Sequence, residues 1–210
     1  MSTKVLKPRD FAAQVHVSRE TLARLEKYVE LLLKWQEKLN LIGASTIPDL
    51  WNRHMLDSAQ IFAYMPEGQI LDAGTGAGFP GVVLGIMARD DENRGPIHLV
   101  ESDGRKCAFL TEAIAETEAK CIVHNRRVEE MDPFPVAAVT ARALAPLERL
   151  LPLVENFLTP DSHGFFFKGK GAHEELSEAR KDWKFNIERI DSVTDPTGVI
   201  LHLTEVRRAK

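Results

Sequence analysis

Four glycines preceded by an aspartate form the part of the sequence best suited to holding a cofactor. They lie in the stretch ILDAGTGAGFPGVVLG, between two apolar runs. Gly76, Gly78 and Gly81 satisfy the G-x-G-x-x-G pattern by which a backbone turn approaches a dinucleotide pyrophosphate. Counted from Gly74, the same residues give D-x-G-x-G-x-G, with Asp72 two positions before the first glycine. The stretch therefore indicates a cofactor site and leaves two kinds of cofactor to be weighed.

Three details favour a cofactor without phosphate. In a dinucleotide site the strand runs directly into the first glycine, whereas here Asp72 to Thr75 intervene. Pro80 has no N–H where a helix N-terminus would bind pyrophosphate, and 210 residues leave no room for a nicotinamide-facing domain. S-Adenosylmethionine fits better, because Asp72 can orient its ammonium group directly or through water. Glu101, at the end of the second predicted strand, would accept the ribose hydroxyls, as it would for either cofactor.

Six motifs along the chain resemble those of one bacterial enzyme family. They are RHMLDS, DAGTGAGFPG, LVESDGRKCAFL, RVEE, ARALAPL and FKGKG. Over Trp35 to about Glu175 the chain is similar to the RsmG (GidB) family of 16S rRNA guanine-N7 methyltransferases. The resemblance implies an α/β, class I (Rossmann-like) methyltransferase fold and methylation of guanine 527, near the decoding centre of the small ribosomal subunit. The chain departs from the family where Gln36 follows Trp35, since W-N is common there.

The resemblance also implies which residues form the site. Gly74, Phe79 and Arg142 would contact the cofactor, and Val128 and Glu129 would flank its adenine. The residues predicted to bind the cofactor are Asp72, Gly74, Gly76, Gly78, Phe79, Glu101, Ser102, Val128, Glu129 and Arg142. Those predicted to be catalytic, by meeting phosphates or the base, are Arg142, Lys168 and Arg127. Because carboxyl ends of parallel strands meet at one edge of a sheet, we expect these three cations to converge at the cofactor mouth.

Other functions compete for parts of the sequence. His54 and Asp57 share a helix face and, with Ser58, invite an acid–base or hydrolase interpretation. No G-x-S-x-G elbow accompanies them, and the scattered histidines do not favour a metal site. We expect this face to seal the cofactor cleft or to contact RNA. A non-enzymatic RNA-binding or ribosome-assembly factor is disfavoured by the intact glycine pattern, and an NAD-linked oxidoreductase by Pro80.

A helical segment followed by alternating strands and helices must position these residues. The helical extension, 1–66, is predicted to contain one helix from Arg19 to Leu39 with Ser18 as N-cap, and a second from Ile47 to Tyr64. The remainder, 67–210, is predicted to be the SAM-binding methyltransferase domain. The runs QILDAG, PIHLVES, KCIVHN, AAVTAR and GFFFKG predict five parallel strands. FNIERIDSVTD and GVILHLTEVRR, joined through DPTG, predict an antiparallel C-terminal hairpin that completes a seven-stranded, mostly parallel sheet.

Composition narrows the choice of partners and compartment. Hydrophobic residues make up 44% and charged residues 28% of the chain, as in ordinary soluble proteins. The formal net charge of −4 argues against non-specific coating of nucleic acid but allows a local basic patch. The two cysteines, Cys107 and Cys121, lack C-x-x-C spacing, and no apolar run is long enough for a membrane span. We expect a cytoplasmic monomer that acts on 16S rRNA, in the small subunit or its assembly intermediate, without binding a membrane.

Overall fold

A single mixed sheet runs through the computed structural model, which describes residues 5–209. Its strands are β1 Gly68–Ala73, β2 Arg94–Glu101, β3 Cys121–Asn125, β4 Ala138–Arg142, β5 His163–Lys168, β6 Trp183–Asp191 and β7 Val199–Arg208. The order in the sheet is β3-β2-β1-β4-β5-β7-β6. Strands β1 to β5 are parallel, and β7 pairs antiparallel with both β5 and β6. The predicted strands, their directions and the C-terminal hairpin are confirmed.

Helices cover both faces of this sheet. They are α1 Pro8–Val15, α2 Arg19–Gln36, α3 Asp57–Ala59, α4 Gly81–Met87, α5 Gly104–Thr117, α6 Leu147–Val154 and α7 Ala172–Ala179. Short 3-10 turns lie at Ala44–Asp49, Phe62–Tyr64, Val128–Glu130 and Glu155–Phe157. Among the described residues, no helix has the length and the apolar character needed to cross a lipid bilayer.

The N-terminal segment differs from the prediction in two places. Ser18 caps α2 as predicted, accepting a hydrogen bond from the Thr21 N–H at 3.1 Å. The helix ends at Gln36 rather than Leu39, because the Gln36 side chain bonds the backbone of the following turn. The predicted single helix over 47–64 is wrong. A 3-10 turn containing Pro48, a π-helical turn at Trp51–Leu56, α3 and another 3-10 turn replace it, because His54 and Asp57 in this segment bond to Arg142 of β4.

Two hydrophobic clusters sandwich the sheet. Side chains of α1, α2, α4 and α5 bury one face, where Phe11, Tyr28 and Phe109 are fully enclosed. The other face packs against α6 and α7, with Phe157 and Phe166 at its centre. The helices before β1 share the first cluster with the strands. The predicted boundary between 1–66 and 67–210 therefore separates helices from sheet within one continuous core.

Candidate active site

The glycine-rich loop turns sharply at the carboxyl end of β1. Gly74, Gly76 and Gly78 have φ values of 66°, 61° and 93°, a region that other residues rarely adopt. A Cβ atom on Gly74 would also lie 2.6 Å from the Leu144 side chain. The positive φ therefore favours glycine at this position, while the Leu144 side chain could shift to make room for a Cβ atom.

Asp72 holds this loop from beneath. Its side chain is fully buried, and its carboxylate accepts hydrogen bonds from the Gly81 N–H at 2.9 Å and the Thr140 hydroxyl at 2.7 Å. Burial raises the pKa of Asp72 to about 6, although these hydrogen bonds oppose the shift. The structure contradicts a direct contact between Asp72 and a cofactor ammonium, because the carboxylate faces the start of α4 and β4 instead.

A cavity of about 630 Å³ opens above the loop, at the carboxyl ends of β1, β2 and β4. The predicted cofactor-binding residues that line it are Gly74, Gly76, Phe79, Glu101, Ser102, Val128, Glu129 and Arg142. Gly78 does not line it, because this glycine packs beneath the loop against Val82 and the Tyr28 hydroxyl. We call this space the cofactor cavity. Its wall is completed by Leu41 and Ile42 from the N-terminal segment.

Glu101 presents an ordered carboxylate to the cofactor cavity. It lies at the end of β2 with 8% of its surface exposed. One carboxylate oxygen accepts a hydrogen bond from the Asp103 N–H at 2.8 Å, and the other lies 3.6 Å from the Lys106 ammonium. Asn125 donates to the Glu101 carbonyl at 3.1 Å. These contacts fix the carboxylate while leaving lone pairs for two hydroxyl donors.

Arg142 is held by the face of the N-terminal segment that carries His54 and Asp57. Its guanidinium donates to the Asp57 carboxylate and to His54 Nδ1, each at 3.0 Å, and lies 5.0 Å from the centre of the Phe79 ring. Burial lowers the pKa of His54 to about 4, helped by the charges of Arg142 and Arg53. A neutral His54 accepts from Arg142 at Nδ1 and bonds the Thr46 hydroxyl through Nε2 at 2.7 Å. His54 is thus occupied as a support for Arg142.

The hydrolase interpretation fails on the same geometry. Ser58 is fully buried and makes no hydrogen bond to any described side chain or backbone group through its hydroxyl. Asp57 accepts from Arg142 and from the Thr194 hydroxyl, at 3.0 and 2.8 Å. Of this face, His54 lines both cavities at this end of the sheet and Asp57 lines the one beside Lys168, so both residues support Arg142 there.

A second cavity of about 640 Å³ lies beside the first. The two share a wall formed by His54 and residues 142–144. Phe167 and Lys168 of β5, Glu175 of α7 and the turn between β6 and β7 line its far side. We call it the substrate cavity, because it is the only described space that shares Arg142 with the cofactor cavity.

The three predicted cations do not meet at one mouth. The Lys168 ammonium lies 2.8 Å from the Glu175 carboxylate and donates to the Ala145 carbonyl at 2.7 Å, with 7% of the side chain exposed. This contradicts a free cation at Lys168 and makes it part of the wall. Arg127, with 66% of its side chain exposed, reaches the cofactor cavity from the opposite side. Only Arg142 faces both cavities.

Two supporting residues escaped the sequence prediction. The Tyr28 hydroxyl of α2 donates to the Ala77 carbonyl in the glycine loop. The Gln36 side-chain oxygen accepts from the N–H groups of Leu41 and Ile42 at 2.9 and 3.0 Å, and so shapes the wall of the cofactor cavity. The presence of Gln36 after Trp35, where the family commonly has W-N, is the sequence signal that could have pointed to Gln36. Nothing local distinguished Tyr28 from an ordinary core residue.

Comparison with known proteins identifies the family. The family described as GidB, rRNA small subunit methyltransferase G, matches residues 21–203 of this chain. The chain belongs to this family. Ribosomal RNA small subunit methyltransferase G of Paramagnetospirillum magneticum is 48% identical over 205 residues, which cover 97% of this chain and 98% of that one. The enzyme of the same name from Rhodospirillum rubrum is 48% identical, covering 96% and 99%. The resemblance seen in the motifs is confirmed.

Solved structures share the fold at low sequence identity. A fibrillarin/Nop5p complex gives a TM-score of 0.56 at 14% identity, covering 73% of this chain and 82% of that chain. A TehB-like SAM-dependent methyltransferase from Corynebacterium glutamicum gives 0.53 at 17% identity, covering 73% and 88%. TYW2 of M. jannaschii, solved in complex with AdoMet, gives a TM-score of 0.53 at 14% identity, covering 72% of this chain and 74% of that chain. These similarities confirm the predicted methyltransferase fold class.

Proposed function

We propose that this chain transfers the methyl group of S-adenosylmethionine to N7 of a guanine in 16S rRNA, at the position 527 implied by its motifs. The observation that carries the proposal is the pair of cavities separated by one wall at Arg142 to Leu144. One cavity has the glycine loop and Glu101, and the other is open to a partner. Ligands of open α/β sheets bind at this carboxyl edge of the strands.

The cofactor cavity suits S-adenosylmethionine, whose sulfonium supplies an activated methyl group. Its volume of about 630 Å³ is in the range of small-molecule sites. The backbone of Gly74 and Gly76 allows close approach of the methionine portion, because no Cβ intervenes. The Glu101 carboxylate would accept the two ribose hydroxyls, and Val128 with Phe79 offers apolar surface to the adenosine end. Asp72 would act indirectly, by fixing the loop.

The chemistry at guanine N7 requires positioning rather than proton transfer. The N7 lone pair is free, so the nucleophile needs no general base, and a neutral His54 engaged by Arg142 agrees with this. An arginine bound to both O6 and N7 would block the lone pair. We therefore propose that Arg142 donates to O6 alone, while the substrate cavity holds the base in line with the methyl group. Such alignment contributes several kcal/mol to rate acceleration.

The proposal also covers the form in which the rRNA is presented and the oligomeric state of the enzyme. A guanine in a folded rRNA loop is correctly presented only when neighbouring rRNA is in place, so we propose the small subunit or a late assembly intermediate as substrate. We also propose that the chain acts as a monomer in the cytoplasm, where small ribosomal subunits are assembled. Residues 1–66 would serve as a helical support for the catalytic region, 67–210.

Mapping N7-methylguanine in 16S rRNA tests the proposal. Cells lacking the gene should lose the modification at one guanine, and the wild-type gene should restore it. Arg142→Met should fail to restore it; because this variant also leaves the Asp57 carboxylate without its cation, Asp57→Asn with Arg142→Met serves as the partner variant and the amount of folded protein is measured for both. A binding assay with S-adenosylhomocysteine separates an enzyme from an RNA-binding factor that only retains the fold. Unchanged methylation in cells without the gene would refute the proposed reaction.

A further inference from the structure

A groove of about 590 Å³ lies between α7 and β6, outside the two cavities of the active site. Its lining consists of His173, Leu176, Ser177, Arg180, Ile187 and Arg189. Strand β6 is at the edge of the sheet, so the groove is open along one side of the molecule. We call it the α7–β6 groove. Its lining contains no acidic residue.

The two arginines of the groove have no carboxylate partner among the described residues. Within residues 5–209, neither Arg180 nor Arg189 forms an ion pair, whereas other surface arginines do, such as Arg208 with Glu155 at 2.7 Å. The Arg180 guanidinium lies 5.7 Å from the centre of the half-buried Phe185 ring. Two guanidinium groups without a carboxylate partner, beside the apolar side chains of Leu176 and Ile187, form a surface suited to the phosphates of a polyanion.

The groove and the substrate cavity are built from the same elements, although they share no lining residue. Strand β6 ends at Asp191, which pairs with Val199, and Val199 lines the substrate cavity. On the helix side, His173 lies two residues before Glu175, another residue of that cavity. Helix α7 and the β6–β7 hairpin therefore contribute to both spaces, so the groove and the cavity are neighbours at this edge of the molecule.

We propose that the α7–β6 groove binds a segment of rRNA adjoining the target guanine, with Arg180 and Arg189 on backbone phosphates. This inference rests on the proposed function, because it names a second contact surface for the same substrate. Phosphate contacts set the position of a nucleic acid without reading its sequence. The groove explains how a chain of net charge −4 binds a polyanion, because its basic residues are concentrated next to the active site.

Methyl transfer to small subunits that lack the modification tests this inference. The variant is Arg180→Ala with Arg189→Ala. The matched control is Lys27→Ala with Lys34→Ala, which removes the same charge from a surface formed by α2 and α5 that also carries Glu30, Glu112 and Glu116; Lys27 is paired there with Glu116 at 2.6 Å. We expect the groove variant to raise KM for subunits roughly three- to tenfold, as for two exposed charge contacts. The control should keep the wild-type KM and kcat.

Salt dependence distinguishes phosphate contacts from other causes. The plot of log(kcat/KM) against log salt concentration should become shallower by about 0.7 to 0.9 for each phosphate contact removed. Arg189→Lys should have a KM for small subunits close to that of the wild type, because a lysine keeps the positive charge at this position. Arg189→Gln alone serves if the double variant loses stability, since Arg189 lies against no described aromatic ring.

The outcomes of this experiment test the groove and the proposed reaction separately. A KM and a salt slope equal to those of the control would overturn the inference, while methylation by the wild type would leave the proposed function intact. A raised KM with an unchanged slope would indicate contact with a ribosomal protein and would overturn the assignment to RNA. No transfer by the wild type to any subunit preparation would refute the proposed function instead.

Discussion

Glu101 offers the most direct residue-level test of the cofactor cavity. Its carboxylate is nearly buried and held by the Asp103 N–H, so a ligand hydroxyl meets an acceptor already in place. Glu101→Ala should weaken binding of S-adenosylhomocysteine by roughly 1.5–3 kcal/mol, the usual loss for a hydrogen bond to a charged group. Glu101→Gln should show a smaller loss. Titration calorimetry measures both, and an unchanged affinity in the alanine variant would exclude the ribose contact.

Lys168 is expected to stabilise the fold rather than to bind RNA, because its ammonium is buried against Glu175. Lys168→Met should lower the free energy of unfolding by about 3 kcal/mol, since it leaves a partly buried carboxylate without its cation. Adding Glu175→Gln should recover part of this loss, and a double-mutant cycle measures the coupling. The salt dependence of methyl transfer should match the wild type. If Lys168→Met has the stability of the wild type but a weaker salt dependence of methyl transfer, Lys168 contacts RNA.

Individual residues differ in how far the sequence predicts their roles. The positions of the glycine turn and of Glu101 at the cavity were predictable, because they depend on a turn and a strand end that are encoded locally. The environments of Asp72 and Lys168 were not, because Thr140 and Glu175 approach them only when distant elements pack. A carboxylate or an ammonium in a motif has the same chemistry whether it is buried or free, so burial decides its role.

At the level of elements, helix α2 supports the glycine loop from outside the sheet. Tyr28 is fully buried, its hydroxyl bonds the Ala77 carbonyl, and its ring lies 5.5 Å from that of Phe79. Tyr28→Phe should cost about 1–3 kcal/mol of stability, because the carbonyl loses its donor. It should also weaken cofactor binding, because the loop loses its anchor.

The other tyrosine of the chain provides the control for this prediction. Tyr64 is 49% exposed, so Tyr64→Phe should change neither the melting temperature nor the affinity for S-adenosylhomocysteine. Thermal unfolding with and without the ligand measures both effects in one experiment. Equal ligand-induced shifts for Tyr28→Phe and the wild type would show that the loop keeps its binding geometry without α2.

Strands were predicted more closely than the segment between α2 and β1. Each strand combines a short apolar run with flanking turn residues, and the sheet then imposes pairing on it. The conformation of residues 44–64 depends instead on tertiary contacts. His54 and Asp57 bond to Arg142, and the His54 ring lies against Phe79. The π-helical turn at Trp51–Leu56 and its C-cap residue Asp57 direct the side chains of His54 and Asp57 towards Arg142. The tertiary contact, rather than local helix propensity, stabilises this irregular turn.

For the whole molecule, pairs of histidines on the sheet tie stability to pH. His98 Nδ1 lies 2.9 Å from His124 Nε2, and His163 Nδ1 lies 2.8 Å from His202 Nε2. In each pair one ring donates and the other accepts, so a second proton would place two donors face to face. Burial lowers the pKa of His98 to about 4 and also lowers the pKa values of His124 and His163.

The direction of the pH effect follows from proton counts in the two states. A histidine with a lowered pKa binds fewer protons when folded, so stability falls as pH drops below about 6.5. His54 and His98 both act in this direction down to about pH 4. Asp72, with its pKa raised to about 6, acts in the opposite direction between pH 6 and 4. The histidines outnumber this one carboxyl, so acid should destabilise the fold in this window.

Urea unfolding at a series of pH values between 7.5 and 4.5 tests this balance. The free energy of unfolding should fall as pH decreases below about 6.5, with a slope near 1.4 kcal/mol per pH unit for each additional proton bound by the unfolded state. His98→Gln should be less stable than the wild type at pH 7.5 but should show a shallower slope, because one buried neutral histidine is gone. His173→Gln, at an exposed position outside the pairs, should keep the wild-type slope. The same slope in His98→Gln and the wild type would show that this histidine pair does not set the acid sensitivity of the fold.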